Sequence, residues 1–449
     1  MSHRNGLTGI AALAAACCAM TCGGAAFAAA SDAVTSPGAS QLSLEPAALP
    51  QANAASAAPK YLDDTTTSAP AFTPWTLQGA IDKTPVGQFL DQYKLTINMF
   101  AEASYTYNFD KTPGLINYQR TFDIDREHLD LNQLDFQLAR AVATSGNSYD
   151  VGGLIEMQYG TDARFLHSDG LNFYGSANPQ FHPAQQWDLT QAYLNVYAPW
   201  GNGVTFTAGK FIALQGYEVI SPTGNALFSH TYSFNFAIPF TNTGLLAKYQ
   251  FNDDWALTLG FVRGWDQAFK AANGDALNVD GSLAWTPASI KGLTGYFNFI
   301  SGPASPDIVP DHVNRYWRSV GEVILQYKWG DNWTFATDGV FGYEPHAGLN
   351  GKTANWYGDA VYATYMFDPH VSATVRGEYF SDNEDARGLG TDAYEVTAGL
   401  EITPFPTNEY LANLLIRPEV REDFSRSKIF DNGAKDHQGT LATDIIYKF

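Results

Sequence analysis

Beyond Cys22 the sequence contains no cysteine. The three cysteines (Cys17, Cys18, Cys22) all lie near the amino terminus, so the rest of the chain has no disulfide and no thiolate metal site. Positive charge is also scarce: 26 Lys and Arg stand against 46 Asp and Glu, a formal net charge of −20. That excludes nucleic acid as a partner, because binding it needs a basic footprint. Charged residues of either sign make up only 16% of the chain. Long apolar runs are missing too. A helical membrane protein would show stretches of about 20 apolar residues, and none follows residue 30. Yet hydrophobic residues reach 45% and aromatics 14%, with a mean hydropathy of −0.20. The apolar content is spread thinly along the chain.

The amino terminus accounts for the cysteines. Arg4 precedes an Ala-rich apolar stretch from Leu7 through Ala30 that ends in small residues. This pattern predicts a secretory signal peptide over residues 1–30, cleaved near Ala28 to Ala30. An acylation site at Cys17 is disfavoured, because Ala14 stands where such sites prefer Leu. Residues 31–94 are expected to form a flexible periplasmic segment, rich in Ala, Pro and Ser up to about Pro74. The mixed stretch Trp75 to Tyr93 is expected to hold a short helix or a plug.

From Leu95 the pattern changes. Leu95, Ile97, Met99, Ala101, Ala103, Tyr105 and Tyr107 alternate with polar residues such as Asn98, Glu102, Ser104 and Thr106. Period-2 alternation predicts a strand with one apolar face. It recurs at Val151 to Tyr159, Leu245 to Phe251, Trp255 to Phe261, Leu293 to Phe299 and Val323 to Trp329. Later runs are Val361 to Phe367, Val371 to Tyr379 and Tyr394 to Ile402. Aromatics gather at the ends of these runs, as at a membrane–water boundary. Tight turns occur at 199–203, 252–254, 330–332 and 367–370. Longer stretches alternate with them at 161–187, 212–242, 301–317, 343–355, 381–391 and 425–437. The prediction is all-β: a transmembrane antiparallel β-barrel over residues 95–449, with roughly 16 strands, short periplasmic turns and long extracellular loops. A propeller would show blade repeats, and none is present.

The chain ends on one more strand. Thr443, Ile445, Tyr447 and Phe449 share its apolar face. An aromatic terminus in this frame resembles the closing strand of bacterial outer-membrane barrels. Ile445, Tyr447 and Phe449 are therefore expected to be the signal read by the barrel-assembly machinery.

Alternation also marks the inward charges. Glu102, Glu156, Lys210, Lys248, Glu322, Arg376, Glu378, Glu401, Arg417, Glu419 and Arg421 alternate with lipid-facing residues, as do Lys328, Glu395 and Asp423. Charge at membrane depth must face a wet lumen, since Lys or Arg on the lipid face costs about 2–4 kcal/mol at the midplane. The candidates on the last strands fall near one wall. They could form a charged ladder acting across water, or an ion-pair network that stiffens the wall. The long stretch from Ile212 to Asn242 could fold into the pore as a constriction or pack on the rim. Acidity overall suits a cation-favouring lumen, and equally the solubility of an exported chain.

A resemblance appears in residues 187–266. Ala208-Gly209-Lys210-Phe211 is followed by Gly216-Tyr217-Glu218, Ser229-His230-Thr231-Tyr232-Ser233-Phe234 and Ala237-Ile238-Pro239-Phe240-Thr241-Asn242-Thr243-Gly244. Val262-Arg263-Gly264-Trp265-Asp266 comes next. This segment resembles the outer-membrane family called putative β-barrel porin-2, OmpL-like. His230-Thr231 and Asn242 depart from the family's usual residues. The resemblance implies a porin passing small hydrophilic solutes or ions through a water-filled barrel. Carbohydrate-selective porins are a near neighbour in pattern. The alternatives are a plugged barrel serving as a surface anchor or adhesin, and an outer-membrane hydrolase.

Enzyme signatures are absent. No H-E-x-x-H or G-x-S-x-G occurs, and the histidines are scattered. Ser229 beside His230 is the one pair to consider, although neighbours in a loop seldom face each other. Acidic runs at 123–127 and 382–385 lack the spacing of a dedicated Ca²⁺ loop. No cofactor or metal is expected. The expected partners are outer-membrane lipid, the assembly machinery, small hydrophilic solutes and, left open, further copies of the chain.

Overall fold

The computed structural model describes residues 74–110, 115–143, 145–171, 184–269, 276–304 and 317–449. The expected signal peptide, the Cys17 site and the segment 31–73 lie outside the described residues. Two short helices come first, α1 (Leu77–Ile81) and α2 (Pro85–Tyr93). Thr76 and Thr84 cap them, each side chain accepting an N–H of the first turn. Sixteen strands follow. They are β1 (Thr96–Asn108), β2 (Leu129–Arg140), β3 (Asp150–Gly160), β4 (Gln186–Ala198), β5 (Val204–Ile212), β6 (Thr241–Gln250), β7 (Trp255–Val262), β8 (Asn278–Trp285), β9 (Leu293–Pro303), β10 (Trp317–Trp329), β11 (Trp333–Glu344), β12 (Ala354–Asp368), β13 (Val371–Ser381), β14 (Asp392–Ile402), β15 (Leu414–Ser425) and β16 (His437–Lys448).

Each strand pairs antiparallel with its neighbours in sequence, and β16 pairs with β1 to close the barrel. Closure is what hydrocarbon demands: no free edge remains to expose unpaired N–H and C=O groups. The seam runs from Phe100↔Lys448 to Asn108↔Thr440. Beyond it, the Phe449 amide donates to the Met99 carbonyl at 2.9 Å, and the Met99 amide donates to the Phe449 carbonyl oxygen at 3.2 Å. No helix among the described residues is long and apolar enough to cross a membrane.

The outer face is apolar and ringed by aromatics. At one rim Trp255 stacks on Trp285 with centroids 5.7 Å apart, Trp333 stacks on Phe335 at 5.4 Å, and Tyr447 meets Phe449 at 5.7 Å. At the other rim Tyr159 meets Trp187 at 4.9 Å, and Tyr379 meets Tyr394 at 5.0 Å. Amphipathic rings at both ends of an apolar band mark the two lipid headgroup levels.

Short connections gather on one rim, at 199–203, 251–254, 330–332 and 369–370. Both ends of the barrel lie there as well. The helices are tied to that rim: the Trp75 amide donates to the Glu409 carbonyl at 2.8 Å, and Gln78 Oε1 accepts the Ile97 amide at 2.9 Å. The longest connections leave the opposite rim, although an eleven-residue one, 403–413, lies on the short-turn rim. They include two that the residue pattern did not mark, 109–128 and 263–277.

Candidate functional site in the barrel lumen

The connection between β5 and β6, residues 213–240, folds into the lumen. Only Thr223 of this loop is exposed. The loop carries its own apolar core inward. Ile220, Phe234 and Phe240 pack with Phe122, Phe165 and Leu166. On another side Leu214, Tyr232, Ala237 and Ile238 pack against Trp356 of β12 and Phe380 of β13. Burying a side chain of this size contributes about 1.5–3 kcal/mol, so the loop has reason to stay inside. The wall makes room for it. A Cβ on Gly358 would strike the Ser233 hydroxyl, and one on Gly399 would come within 2.6 Å of Leu227.

Inward carboxylates catch the backbone of the loop. Glu378 accepts the Tyr232 and Ser233 amides at 2.5 and 2.6 Å. Glu419 accepts those of Phe228 at 2.9 Å and Ser229 at 3.2 Å. Glu322 takes the Gly216 amide at 2.9 Å, and Asp338 takes that of Tyr217 at 3.1 Å. Gly216 has φ +104°, a left-handed conformation that glycine adopts without strain. At the far end of the loop Asp266 accepts the Phe240 and Thr241 amides at 2.8 and 2.9 Å. Each bond satisfies an N–H that burial would otherwise leave unpaired.

Three arginines, one on β13 and two on β15, hold its carbonyls. Arg376 Nη1 donates to Ser229 O at 2.5 Å and lies 2.7 Å from Glu218 Oε1. Its Nε donates to Glu395 Oε1 at 2.7 Å. Arg417 donates to Pro222 O and Asn225 O at 2.8 and 2.5 Å, and pairs with Asp444 at 2.5 Å. Arg421 donates to His230 O at 2.6 Å and to Asp423 Oδ1 at 2.8 Å. The planar guanidinium, with five donors, suits such shared bonding. A second loop joins from above, where Arg120 pairs with Asp423 at 2.5 Å and the Thr121 hydroxyl donates to Asn235 at 2.5 Å.

The electrostatics of the loop follow from this packing. Burial opposes ionisation of Glu218, but Arg376, His230 and the Thr231 amide outweigh it and hold the carboxyl below its ordinary range. Burial pushes His230 down to about 4 against the pull of Glu218. Burial raises Asp266 to about 7 despite the Thr241 amide.

Beneath the loop a chamber of about 1000 Å³ reaches the short-turn rim. Leu214, Tyr217 and Val219 form its roof. Its wall runs from the start of β1 to β10 and is rich in hydroxyl and amide side chains.

The sequence-predicted residues therefore divide into groups. Arg376, Glu378, Arg417, Glu419 and Arg421 come together in the clasp around the loop, and Glu102 joins them through Arg417 at 3.5 Å. Glu322 works on β10, outside the clasp. Glu156 bonds Gln191, and Lys210 pairs with Asp188 at 3.2 Å; both lie apart from the clasp. Lys248 and Glu401 are half-buried on the inner face. Ile445 and Tyr447 lie on the lipid face of β16, and Phe449 extends that strand. Neither arrangement expected for the late-strand charges describes the clasp fully, because half its partners are loop backbone. Ser229 and His230 do not form a pair. The Ser229 hydroxyl accepts from Arg376, whereas the His230 ring stacks on Phe234 at 4.2 Å. No group of three or more His, Cys, Asp or Glu could hold a metal among the described residues. Glu218, Asp266, Asp338 and Arg120 were not among the expected inward charges. Glu218 and Asp266 lay in the family-like segments, and Asp338 stood in frame between Ala336 and Val340, whereas Arg120 carried no signal.

The family described as putative β-barrel porin-2, OmpL-like, matches residues 94–449. This chain belongs to that family. It is an outer-membrane porin, and the inserted loop and its chamber are features of a channel. No curated protein matches it. Solved structures with the same fold include an anion-selective porin from Comamonas acidovorans, with 11% identity, TM-score 0.53, and coverage of 79% of this chain and 99% of that one. OprB of Pseudomonas putida has 13% identity and TM-score 0.52, covering 84% of this porin and 100% of its own chain. The outer-membrane channel DcaP of Acinetobacter baumannii has 11% identity and TM-score 0.51, covering 79% and 97%. At such identities the shared property is the barrel.

Proposed function

We propose that this porin passes small hydrophilic solutes by passive diffusion, without catalysing any reaction. The observation that carries the reading is the chamber of about 1000 Å³ under a loop folded across a sixteen-stranded barrel. Barrels of this size hold water unless plugged. In this reading the loop over 213–240 sets the constriction. Glu102, Glu156, Lys210, Lys248, Glu322, Arg376, Glu378, Glu401, Arg417, Glu419 and Arg421 shape the pore directly or by holding the loop. Residues 1–30 direct export. Ile445, Tyr447 and Phe449 present the strand to the assembly machinery, and the aromatic girdles meet membrane lipid.

The test is single-channel conductance of the refolded mature protein in a planar bilayer. Stable current steps are expected. Folded protein that stays silent rejects free diffusion. One observation favours a second reading, a plugged barrel that anchors its surface loops: the loop is bonded to β2, β8, β10, β11, β12, β13 and β15. Silence of the wild type, with current restored by deleting residues 226–236, is the result that reading requires.

A further inference from the structure

This inference rests on the porin reading and names the charge class of its solutes. The clasp neutralises the charges around the loop, so the field inside the chamber belongs to what remains unpaired there. Acids on the chamber surface are confined to Asp253 and Asp254, in the short turn at the rim. Among the three basic residues of that surface, Arg140 is engaged by Asp150 at 2.9 Å. The side chains of Lys248 and Lys328 make no ion pair or hydrogen bond among the described residues. Lys248 stands between Thr205 of β5 and Thr258 of β7. In one direction the row continues through Ser282 and Asn298 to Glu322, four strands away, and in the other through Thr205 and Tyr197 to Asp150, three strands away and engaged by Arg140. Strand spacing makes these about 19 and about 14 Å along the wall, both beyond the screening length of about 10 Å at 0.1 M salt. Glu322 is already occupied by Asn298 and the Gly216 amide.

We propose that the chamber is an anion-selecting segment whose specificity-determining residues are Lys248 and Lys328, so that small inorganic and carboxylate anions pass it in preference to cations of equal size. The chain's net charge of −20 does not oppose this. Selectivity is set by unpaired charge facing the water path, whereas paired charge cancels and distant surface charge is screened.

The experiment is the reversal potential of the full mature porin under a tenfold KCl gradient, repeated with potassium acetate. Wild type, Lys248→Gln, Lys328→Gln and Lys248→Arg are compared. Wild type is expected to reverse toward the anion potential in both salts. Each Gln variant should lower the anion-to-cation permeability ratio about twofold, the effect in water of removing a unit charge about 8 Å from the path. Lys248→Arg keeps the charge and should match wild type, which separates charge from shape. Folding is checked for every variant by heat-modifiable gel migration. A conducting wild type that prefers potassium, or Gln variants with normal conductance and an unmoved reversal potential, overturns this inference and leaves the porin reading standing. A folded wild type without current overturns both.

Discussion

Arg376 on β13 lies 2.7 Å from Glu218, a residue 158 positions earlier that the loop carries into the lumen. The same guanidinium holds Glu395 and the Ser229 carbonyl. Neither Arg376 nor Glu395 has measurable side-chain exposure. Such a group is costly to disturb, because removing one partner strands the others as uncompensated buried charge.

Arg376→Ala is therefore expected to unseat the loop. The two carboxylates left behind would draw water into the packed side of the lumen. The loss should be about 3–5 kcal/mol, as for other broken buried pairs. Single-channel recording should show larger and noisier current steps, and the thermal transition of the barrel should fall. Arg376→Lys should recover part of the charge but not the fork of bonds. Unchanged conductance in the Ala variant would show that the loop is held without this residue.

Glu378 acts by a different route, since its partners are two backbone amides. Glu378→Ala leaves both amides buried and unpaired, at a cost of about 1–3 kcal/mol each. Glu378→Gln keeps one acceptor oxygen and should cost less. Protease sensitivity across residues 226–236 is the readout. The Ala variant should be cut well before wild type and the Gln variant between them. Equal cutting of all three would refute the clasp on this side.

Seating of the loop should also depend on pH through Asp266. Its folded pKa is raised from about 3.8 to about 7 by burial. A raised value means that its stabilising contribution is fully present below about pH 4 and lost as pH rises through 7. His230 works in the opposite sense over a lower window. Its pKa is depressed from 6.5 to about 4, so its contribution is present above 6.5 and lost as pH falls through 4. Between pH 6.5 and 8 the His230 effect is flat, so the share of Asp266 shows as the difference between wild type and Asp266→Asn. Current noise should increase over that range more steeply in wild type than in Asp266→Asn. The same slope in both would assign the dependence to another group.

Much of the barrel was legible because lipid outside and water inside impose a period of two on every regular strand. The missed strands show where that signal breaks. In β2 the apolar residues begin at Leu129 and Leu131, then change parity to Leu134, Phe136 and Leu138. The change falls where the β1–β2 register shifts, around Asn132. An extra residue in a bulge reverses the alternation for the rest of the strand. β4 does the same: Trp187 and Leu189 face out, and after Thr190 the outward residues are Ala192, Leu194 and Val196. The clasp was half legible. Arg376, Glu378, Arg417, Glu419 and Arg421 stand out because charge among lipid-facing residues must point inward. Their loop partners are mostly amides and carbonyls, which every residue has, so the sequence offered nothing to pair them with.

The barrel's register can be tested by moving one charge a single residue. Val375 and Arg376 are neighbours on β13, but Val375 is 53% exposed on the lipid face and Arg376 is fully buried inside. Val375→Arg should cost about 2–4 kcal/mol if that position lies near the bilayer midplane. Val375→Leu should cost almost nothing. Urea titration of protein refolded in lipid vesicles measures the difference. A tolerated arginine would place the position near an interface, and the scan would continue with Val361 and Val396, which face out at 52% and 55% exposure. If all three positions tolerate arginine, this face is not in lipid.

Phe449 raises a different question, since its contribution to the folded barrel is small. Its backbone exchanges two hydrogen bonds with Met99, and its ring rests on Tyr447. A ring pair of this kind contributes about 0.5–1.5 kcal/mol beyond burial. Phe449→Ser keeps the backbone bonds, so the barrel should refold in vesicles with almost wild-type stability. In cells the outcome should differ if assembly reads the terminal strand, as proposed. Outer-membrane levels of Phe449→Ser are expected to drop severalfold while its refolding yield in vitro is preserved. Equal loss in both assays would make Phe449 a stability residue. Equal retention in both would remove it from assembly and leave Tyr447 and Ile445 to be tested in the same way.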